Sequence, residues 1–66
     1  MEEKFILLKP YVTNEGTIPE GSDIIIFRGQ VYVNGGVIPR VYNKEFIALT
    51  EDNTMTRKVK IVKNEF

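Results

Sequence analysis

The sequence contains no cysteine, no histidine and no tryptophan among its 66 residues. Without cysteine there are no disulfide bonds and no thiolate ligands for zinc. Without histidine the chain lacks the usual proton shuttle near neutral pH and the commonest metal ligand. The single serine, Ser22, lies outside any Gly-x-Ser-x-Gly sequence, and the phosphate-loop and calcium-loop patterns are missing. These absences predict no catalytic residue, no cofactor and no metal, and therefore a protein that is not an enzyme.

Long apolar runs are also missing. The longest, Phe5 to Leu8 and Ile24 to Phe27, have four residues each, whereas a membrane-spanning helix needs about 20. The chain starts Met1-Glu2-Glu3-Lys4, which is acidic where a secretory signal is basic. We therefore expect a soluble cytoplasmic protein with no membrane partner.

What is present favours β-structure. Eight isoleucines and seven valines stand against three leucines and one alanine, and side chains branched at Cβ pack better on a pleated sheet than on a helix. A chain of 66 residues can bury only about 60% of the surface that it exposes when unfolded. The sequence predicts one small β domain over residues 1–66, for which homo-oligomer formation would add stability.

The pattern predicts five strands, at residues 4–9, 23–28, 30–33, 37–42 and 55–63. The first is expected to be buried on both faces, residues 11–13 are its possible continuation, and residues 17–22 are an extended arm and a turn. Gly29 and the pair Asn34-Gly35 predict hairpin turns, because these residues adopt positive φ at low cost. Pro39 donates no hydrogen bond, so the fourth strand should lie at an edge or carry a bulge.

A short helix is predicted at residues 43–51, between the fourth and fifth strands. Asn43 is expected to be its N-cap, Glu45 lies in the first turn, and Phe46, Ile47 and Leu49 should share one side. The predicted fold class is therefore mainly β, either a small five-stranded barrel or a bent antiparallel sheet, with one short helix.

A short pattern occurs twice. Residues 14–19 and residues 34–39 both follow Asn-x-Gly-x-Ile-Pro. One interpretation is a pair of similar loops on one side of the molecule that duplicate a contact. The favoured interpretation is that turns need Asn and Gly, and that Ile-Pro recurs where a strand ends.

Opposite charges balance over the whole chain but not along it. Residues 1–33 hold three basic and five acidic groups, and residues 34–66 hold six basic and four acidic groups. Four of the basic residues lie on the last predicted strand and could contact a nucleic acid: Arg57, Lys58, Lys60 and Lys63. Against this, lysine on an edge strand also prevents aggregation, and nucleic-acid-binding domains usually carry an excess of basic charge.

Two segments carry a resemblance to a known class of protein. Residues Gly16 to Ile24 (GTIPEGSDI), followed by a hairpin and by Tyr32 to Gly36 (YVNGG), resemble small all-β, SH3-like accessory proteins of bacteriophage genomes. The resemblance spans residues 4–42. It implies an SH3-like barrel and a compact accessory factor that binds another macromolecule or itself, and it assigns no active site.

These observations favour binding over catalysis. We predict a surface that docks onto a protein partner, a host protein if the chain is phage-encoded, in which case the location is the host cytoplasm. The predicted contacts are exposed residues of the two Ile-Pro segments and their neighbours, two of them tyrosines, which are common at interfaces: Ile18, Tyr32, Ile38, Arg40 and Tyr42. The first alternative is a small nucleic-acid-binding module that uses the last strand, and the second is a self-assembling structural subunit.

Overall fold

The computed structural model of the chain describes residues 2–60. Its seven strands are β1 (Glu3–Leu7), β2 (Tyr11–Thr13), β3 (Gly16–Ile18), β4 (Asp23–Phe27), β5 (Gln30–Val33), β6 (Gly36–Val37) and β7 (Thr56–Val59). A 3-10 helix covers Arg40–Tyr42, and the helix α1 covers Asn43–Thr50. Five strands form one antiparallel sheet in the order β6-β5-β4-β1-β7, and β2 and β3 form a separate hairpin.

The mainly-β fold with a five-stranded antiparallel sheet and one short helix is therefore confirmed. A closed barrel is not found: over residues 2–60 the edge strands β6 and β7 each pair with one neighbour and not with each other. No helix in this part of the chain is long and apolar enough to cross a membrane.

The core lies on one face of the sheet, which we call the core face. Side chains that are paired across strands point to the same face, and the register places Phe5 opposite Ile24, and Ile26 opposite Val31. α1 packs on this face. The buried apolar side chains among the described residues are Phe5, Leu7, Ile24, Val31, Phe46 and Leu49. The prediction that the first strand is buried on both faces is wrong, because Ile6 points away from this cluster and is only half-buried.

Both predicted hairpin turns are confirmed. Arg28 and Gly29 between β4 and β5 have φ of 53° and 75°, and Asn34 and Gly35 between β5 and β6 have φ of 51° and 85°. Positive φ at both central residues is the requirement of a type I′ turn, which matches the twist of the flanking strands.

The first predicted strand, residues 4–9, covers Glu3–Leu7, and the second, residues 23–28, ends at Phe27. Three other predicted elements differ from the structure in more than this. The fourth strand ends at Val37 instead of residue 42, because Pro39 cannot pair and the chain turns into the 3-10 helix. Asn43 is not the N-cap of α1 but its first residue, and its side-chain Nδ2 donates to the carbonyl of Gly29 at 3.0 Å. The last strand covers Thr56–Val59, and residues 61–63 of the prediction lie outside the described residues.

The hairpin of β2 and β3 was not predicted as a pair of strands. Its register places Tyr11 opposite Ile18 and Thr13 opposite Gly16. The Thr13 hydroxyl donates to the Gly16 carbonyl at 2.7 Å and accepts from the Glu15 backbone N–H at 3.2 Å, so one side chain closes the turn. The hairpin packs on the core face, where Tyr11 and Ile18 contact the buried cluster.

Candidate functional site

A groove of about 250 Å³ lies between the hairpin and the helical segment. The hairpin contributes one wall, and the residues after β6 together with the start of α1 contribute the other. We call it the Ile-Pro groove and define it by its apolar lining: Ile18, Val33, Ile38, Pro39, Tyr42 and Phe46. Thr13, Glu15 and Thr17 lie on its hairpin side. The lining is therefore apolar, with polar groups on the wall formed by the hairpin.

Both copies of the Asn-x-Gly-x-Ile-Pro pattern converge on this groove. Ile18 comes from the first copy at the end of β3, and Ile38 and Pro39 come from the second copy just after β6. The structure therefore supports the interpretation of two loops on one side of the molecule, which the sequence alone disfavoured. Turn chemistry explains why Asn and Gly recur, but not why both isoleucines line one cavity.

Backbone hydrogen bonds fix the second Ile-Pro segment even though it is outside the sheet. The Ile38 N–H donates to the Val31 carbonyl at 3.2 Å, and the Gln30 side-chain Nε2 donates to the Ile38 carbonyl at 3.1 Å. The first segment is held by Ser22, whose hydroxyl donates to the Pro19 carbonyl at 2.6 Å. Hydrogen bonds therefore hold the backbone of both segments next to the isoleucines that line the groove.

Two glutamates place negative charge at the groove, Glu15 in its lining and Glu45 near enough to Tyr42 to act on it through its charge, and we call this pair the acidic rim. The Tyr11 hydroxyl donates to Glu45 Oε2 at 2.6 Å, which joins the hairpin to α1. On the other side, Glu15 lines the groove together with Tyr42, and as a hydrogen-bond acceptor and a negative charge it raises the pKa of the Tyr42 hydroxyl. Glu45 adds to this effect through its charge. Both carboxylates therefore act electrostatically at the mouth of an apolar site.

The size of the groove limits its occupant. Sites for cofactor-sized or drug-sized ligands usually measure roughly 300–1,000 Å³, so a cavity of about 250 Å³ is better suited to one or two side chains of a larger partner. No group of three or more carboxylates among residues 2–60 could hold a metal ion. The groove offers a partner apolar contact and negative charge, which are features of a binding site.

Three of the five predicted protein-contact residues lie in the Ile-Pro groove: Ile18, Ile38 and Tyr42. Arg40 is exposed on the 3-10 helix outside the lining. The fifth, Tyr32, does not lie near Ile38 and Tyr42. Tyr32 is paired with Val37 and Ile25 on the face of the sheet opposite the core, because residues 31 and 33 use the core face.

The predicted basic surface is divided. Arg57 and Lys58 are adjacent on β7 and therefore point to opposite faces of the sheet. Lys58 Nζ lies 3.2 Å from Glu3 Oε2, so its charge is partly neutralised. Lys60 is exposed just beyond the strand, and Lys63 lies outside the described residues. Nucleic-acid binding by this strand stays a prediction.

Sequence reasoning missed Val33, Phe46 and Glu15 as lining residues of the groove, and Glu45 as a charge beside it. Phe46 was predicted on the apolar side of the helix, but its position against the hairpin depends on the edge-to-face contact with Tyr11, whose ring centroid lies 5.8 Å away. The repeated Ile-Pro pair was the feature of the sequence that indicated where the groove lies. Comparison with protein-family models, with curated proteins and with solved structures finds no match to this chain.

Proposed function

We propose that the chain is a non-enzymatic binding protein whose Ile-Pro groove takes an extended segment of a partner protein. An apolar side chain of that segment enters the groove, and a basic side chain meets the acidic rim of Glu15 and Glu45. The convergence of Ile18 and Ile38 on one cavity is the observation that carries this proposal. Burial of an apolar side chain supplies the affinity, and the carboxylates select the charge beside it.

The biological setting is part of the same proposal. A phage-type accessory factor with an SH3-like barrel, acting on a host protein in the host cytoplasm, is supported by the resemblance of Gly16 to Ile24 and of Tyr32 to Gly36. The five-stranded antiparallel sheet is compatible with it. The nucleic-acid alternative has weaker support, because Arg57 and Lys58 diverge and Lys58 is paired with Glu3.

Synthetic peptides of about ten residues test the proposal. Each peptide carries one leucine flanked by arginine, by glutamine or by glutamate, and binding is followed by amide chemical shifts in NMR spectra of the labelled protein. We expect the arginine-flanked peptide to bind most tightly and to shift the amides of Ile18, Ile38 and Phe46. Tight binding of the glutamate-flanked peptide would contradict the proposed charge selection.

Two matched pairs of variants locate the contact. Tyr42→Ala should weaken binding at least fivefold, whereas Tyr32→Ala, the same change on the opposite face of the sheet, should leave it unchanged. Glu15→Gln should weaken binding about two- to fivefold, as expected for an exposed ion pair. Glu20→Gln removes an exposed charge outside the groove lining and serves as its control. Equal loss in Tyr32→Ala and Tyr42→Ala would remove the groove as the site.

A further inference from the structure

The face of the sheet opposite the core carries apolar side chains that no described element covers. α1, the 3-10 helix and the hairpin all pack on the core face, through Phe46, Leu49, Tyr42, Tyr11 and Ile18. On the opposite face, which we call the open face, neither helix nor the hairpin of residues 2–60 forms a second layer. Its apolar side chains are Ile6, Ile25, Phe27, Tyr32, Val37 and Val59. Val37 is 64% exposed, the other five are half-buried, and the Arg28 guanidinium lies over the Phe27 ring at 5.2 Å.

The sequence of β4 is that of a strand with two covered faces. Ile24, Ile25, Ile26 and Phe27 follow one another without a polar residue. An antiparallel strand with one face in water normally alternates apolar and polar residues, whereas a continuous apolar run is typical of a strand covered on both sides. Ile24 and Ile26 face the core, so Ile25 and Phe27 are the residues that lack a matching layer.

The charges of the open face are arranged to complement a second copy of the same face. Ile6 is paired with Asp23 on one side and with Arg57 on the other, so an acid and a base lie one strand away from β1 in opposite directions. Two residues earlier on β1, Lys4 is paired with Ile25 on the β4 side and with Val59 on the β7 side. At Ile6 an acid and a base, and at Lys4 two apolar side chains, therefore lie at equal distances on the two sides of β1.

We propose that the open face is a homodimer interface, in which a second copy packs face to face about a two-fold axis that runs along β1 between the two sheets. This rotation exchanges the two sides of β1. It places Asp23 of one copy against Arg57 of the other, and Ile25 of one copy against Val59 of the other. Sheets packed in this way lie about 10 Å apart, with their side chains interdigitated.

Lys4 opposes this arrangement, because its positive charge repels that of Lys4 in the second copy. The two Lys4 side chains come together at the axis, and each leans toward its own Asp23, with Nζ 3.8 Å from Oδ2. Replacing Lys4 by methionine keeps a long side chain and removes the repulsion. The dimer should therefore become tighter in Lys4→Met, a result that a dimer built on any other surface does not predict.

The size of the face sets the expected affinity. With strands about 4.8 Å apart and about 3.3 Å per residue, the three strands that overlap in this packing, β4, β1 and β7, cover roughly 15 Å by 16 Å, and Tyr32 and Val37 lie outside the contact. A standard interface buries about 800 Å² per partner, so this one belongs to the small, concentration-dependent class. We expect dissociation in the micromolar range, which places the monomer and the dimer within reach of one measurement series.

Sedimentation velocity and light scattering between about 1 µM and 1 mM test the proposal on the full chain. The mass should rise with concentration from that of a single chain toward that of two chains. Asp23→Arg and Arg57→Asp should each weaken the dimer at least tenfold, and the double variant should recover it, since opposite charges again meet. Ile25→Lys should abolish dimerisation, whereas Val12→Lys, at an exposed valine on the hairpin, should not.

Several results would overturn the proposal. One is the mass of a single chain at every concentration, including the case in which the amides around Ile25 are protected from exchange by another part of the same chain. Another is a dimer that survives both charge reversals, or one that is lost in Tyr42→Ala while Ile25→Lys leaves it intact. Circular dichroism of each variant shows that it is folded, and if Ile25→Lys fails to fold, the paired charge reversals still decide.

Discussion

At the residue scale, Tyr11 connects the hairpin to α1, the two elements on either side of the Ile-Pro groove. Its ring packs edge-to-face on Phe46 at an interplanar angle of 68°, and its hydroxyl donates to Glu45 at 2.6 Å. The hydrogen bond to the Glu45 carboxylate, followed by burial and by the negative charge, raises the pKa of Tyr11 to about 12. One side chain thus joins the hairpin to α1 by packing and by a charge-assisted hydrogen bond.

The raised pKa of Tyr11 predicts a loss of stability at alkaline pH. In the unfolded chain its hydroxyl titrates near 10, whereas in the folded protein it keeps its proton until about pH 12. The stabilisation is therefore complete below pH 10 and is lost as the pH rises from 10 to 12. Urea unfolding at pH 8, 10, 11 and 12 should show a falling midpoint, with a shallower decline in Tyr11→Phe. Tyr32→Phe, remote from Glu45, should retain the full decline. Equal slopes for wild type and Tyr11→Phe would count against the role of this contact.

At the element scale, the β5–β6 turn shows how local chemistry fixes part of the fold. Gly35 has φ of 85° and adopts it without the steric cost that a Cβ atom brings, and the side-chain oxygen of Asn34 accepts a hydrogen bond from the Asp23 N–H at 2.9 Å. The turn thereby ties itself to the start of β4. It also directs the chain into Ile38 and Pro39, the second wall of the groove.

Two adjacent glycines provide a test of this turn. Gly35→Ala forces a residue with a Cβ atom into the left-handed region and should lower the free energy of unfolding by about 1–2 kcal/mol. Gly36→Ala makes the same chemical change at negative φ, where the new Cβ would lie 3.6 Å from the Val33 carbonyl oxygen, an ordinary contact. Its effect on the free energy of unfolding should stay below about 0.5 kcal/mol, as for most exposed positions. Urea denaturation of both variants measures the difference, and similar losses in the two would refute the argument from φ.

The elements that the sequence predicts well are those whose cause is local. The Asn34-Gly35 turn and the Ile24–Phe27 strand follow from backbone preference and apolar pattern. The hairpin of β2 and β3 does not, because its strands have three residues each and are held by packing of Tyr11 and Ile18 on the core. The end of β6 at Val37 likewise depends on where Pro39 falls relative to the sheet edge.

The groove could be predicted in part for the same reason. The repeated Ile-Pro pair is visible in the sequence, and Tyr42 was a candidate beside it. That Ile18 and Ile38 meet across a cavity depends on the hairpin folding back onto the core face, which involves residues far apart in the chain. The face used by Tyr32 follows from strand alternation, but its distance from Tyr42 depends on the chain leaving the sheet after Val37.

At the scale of the whole molecule, the sheet divides its apolar residues between two faces and leaves a small core. The described core consists of six buried apolar side chains, among which Ile24 and Val31 are fully inaccessible to solvent. A domain of this length has a free energy of unfolding of about 3–10 kcal/mol. Since the fully buried core is this small, each of its side chains accounts for a large part of the stability.

Replacing Ile24 by alanine should therefore bring the protein close to unfolding. The deletion of three carbons from a fully buried site costs about 2–5 kcal/mol, because the cavity that remains cannot collapse between Phe5 and Val33, its cross-strand neighbours. Val41→Ala shortens a valine that is 81% exposed and should cost less than about 0.5 kcal/mol. Thermal unfolding followed by circular dichroism at fixed concentration compares the two. A small loss in Ile24→Ala would mean that the stability does not come from the core face and that this account of the fold is wrong.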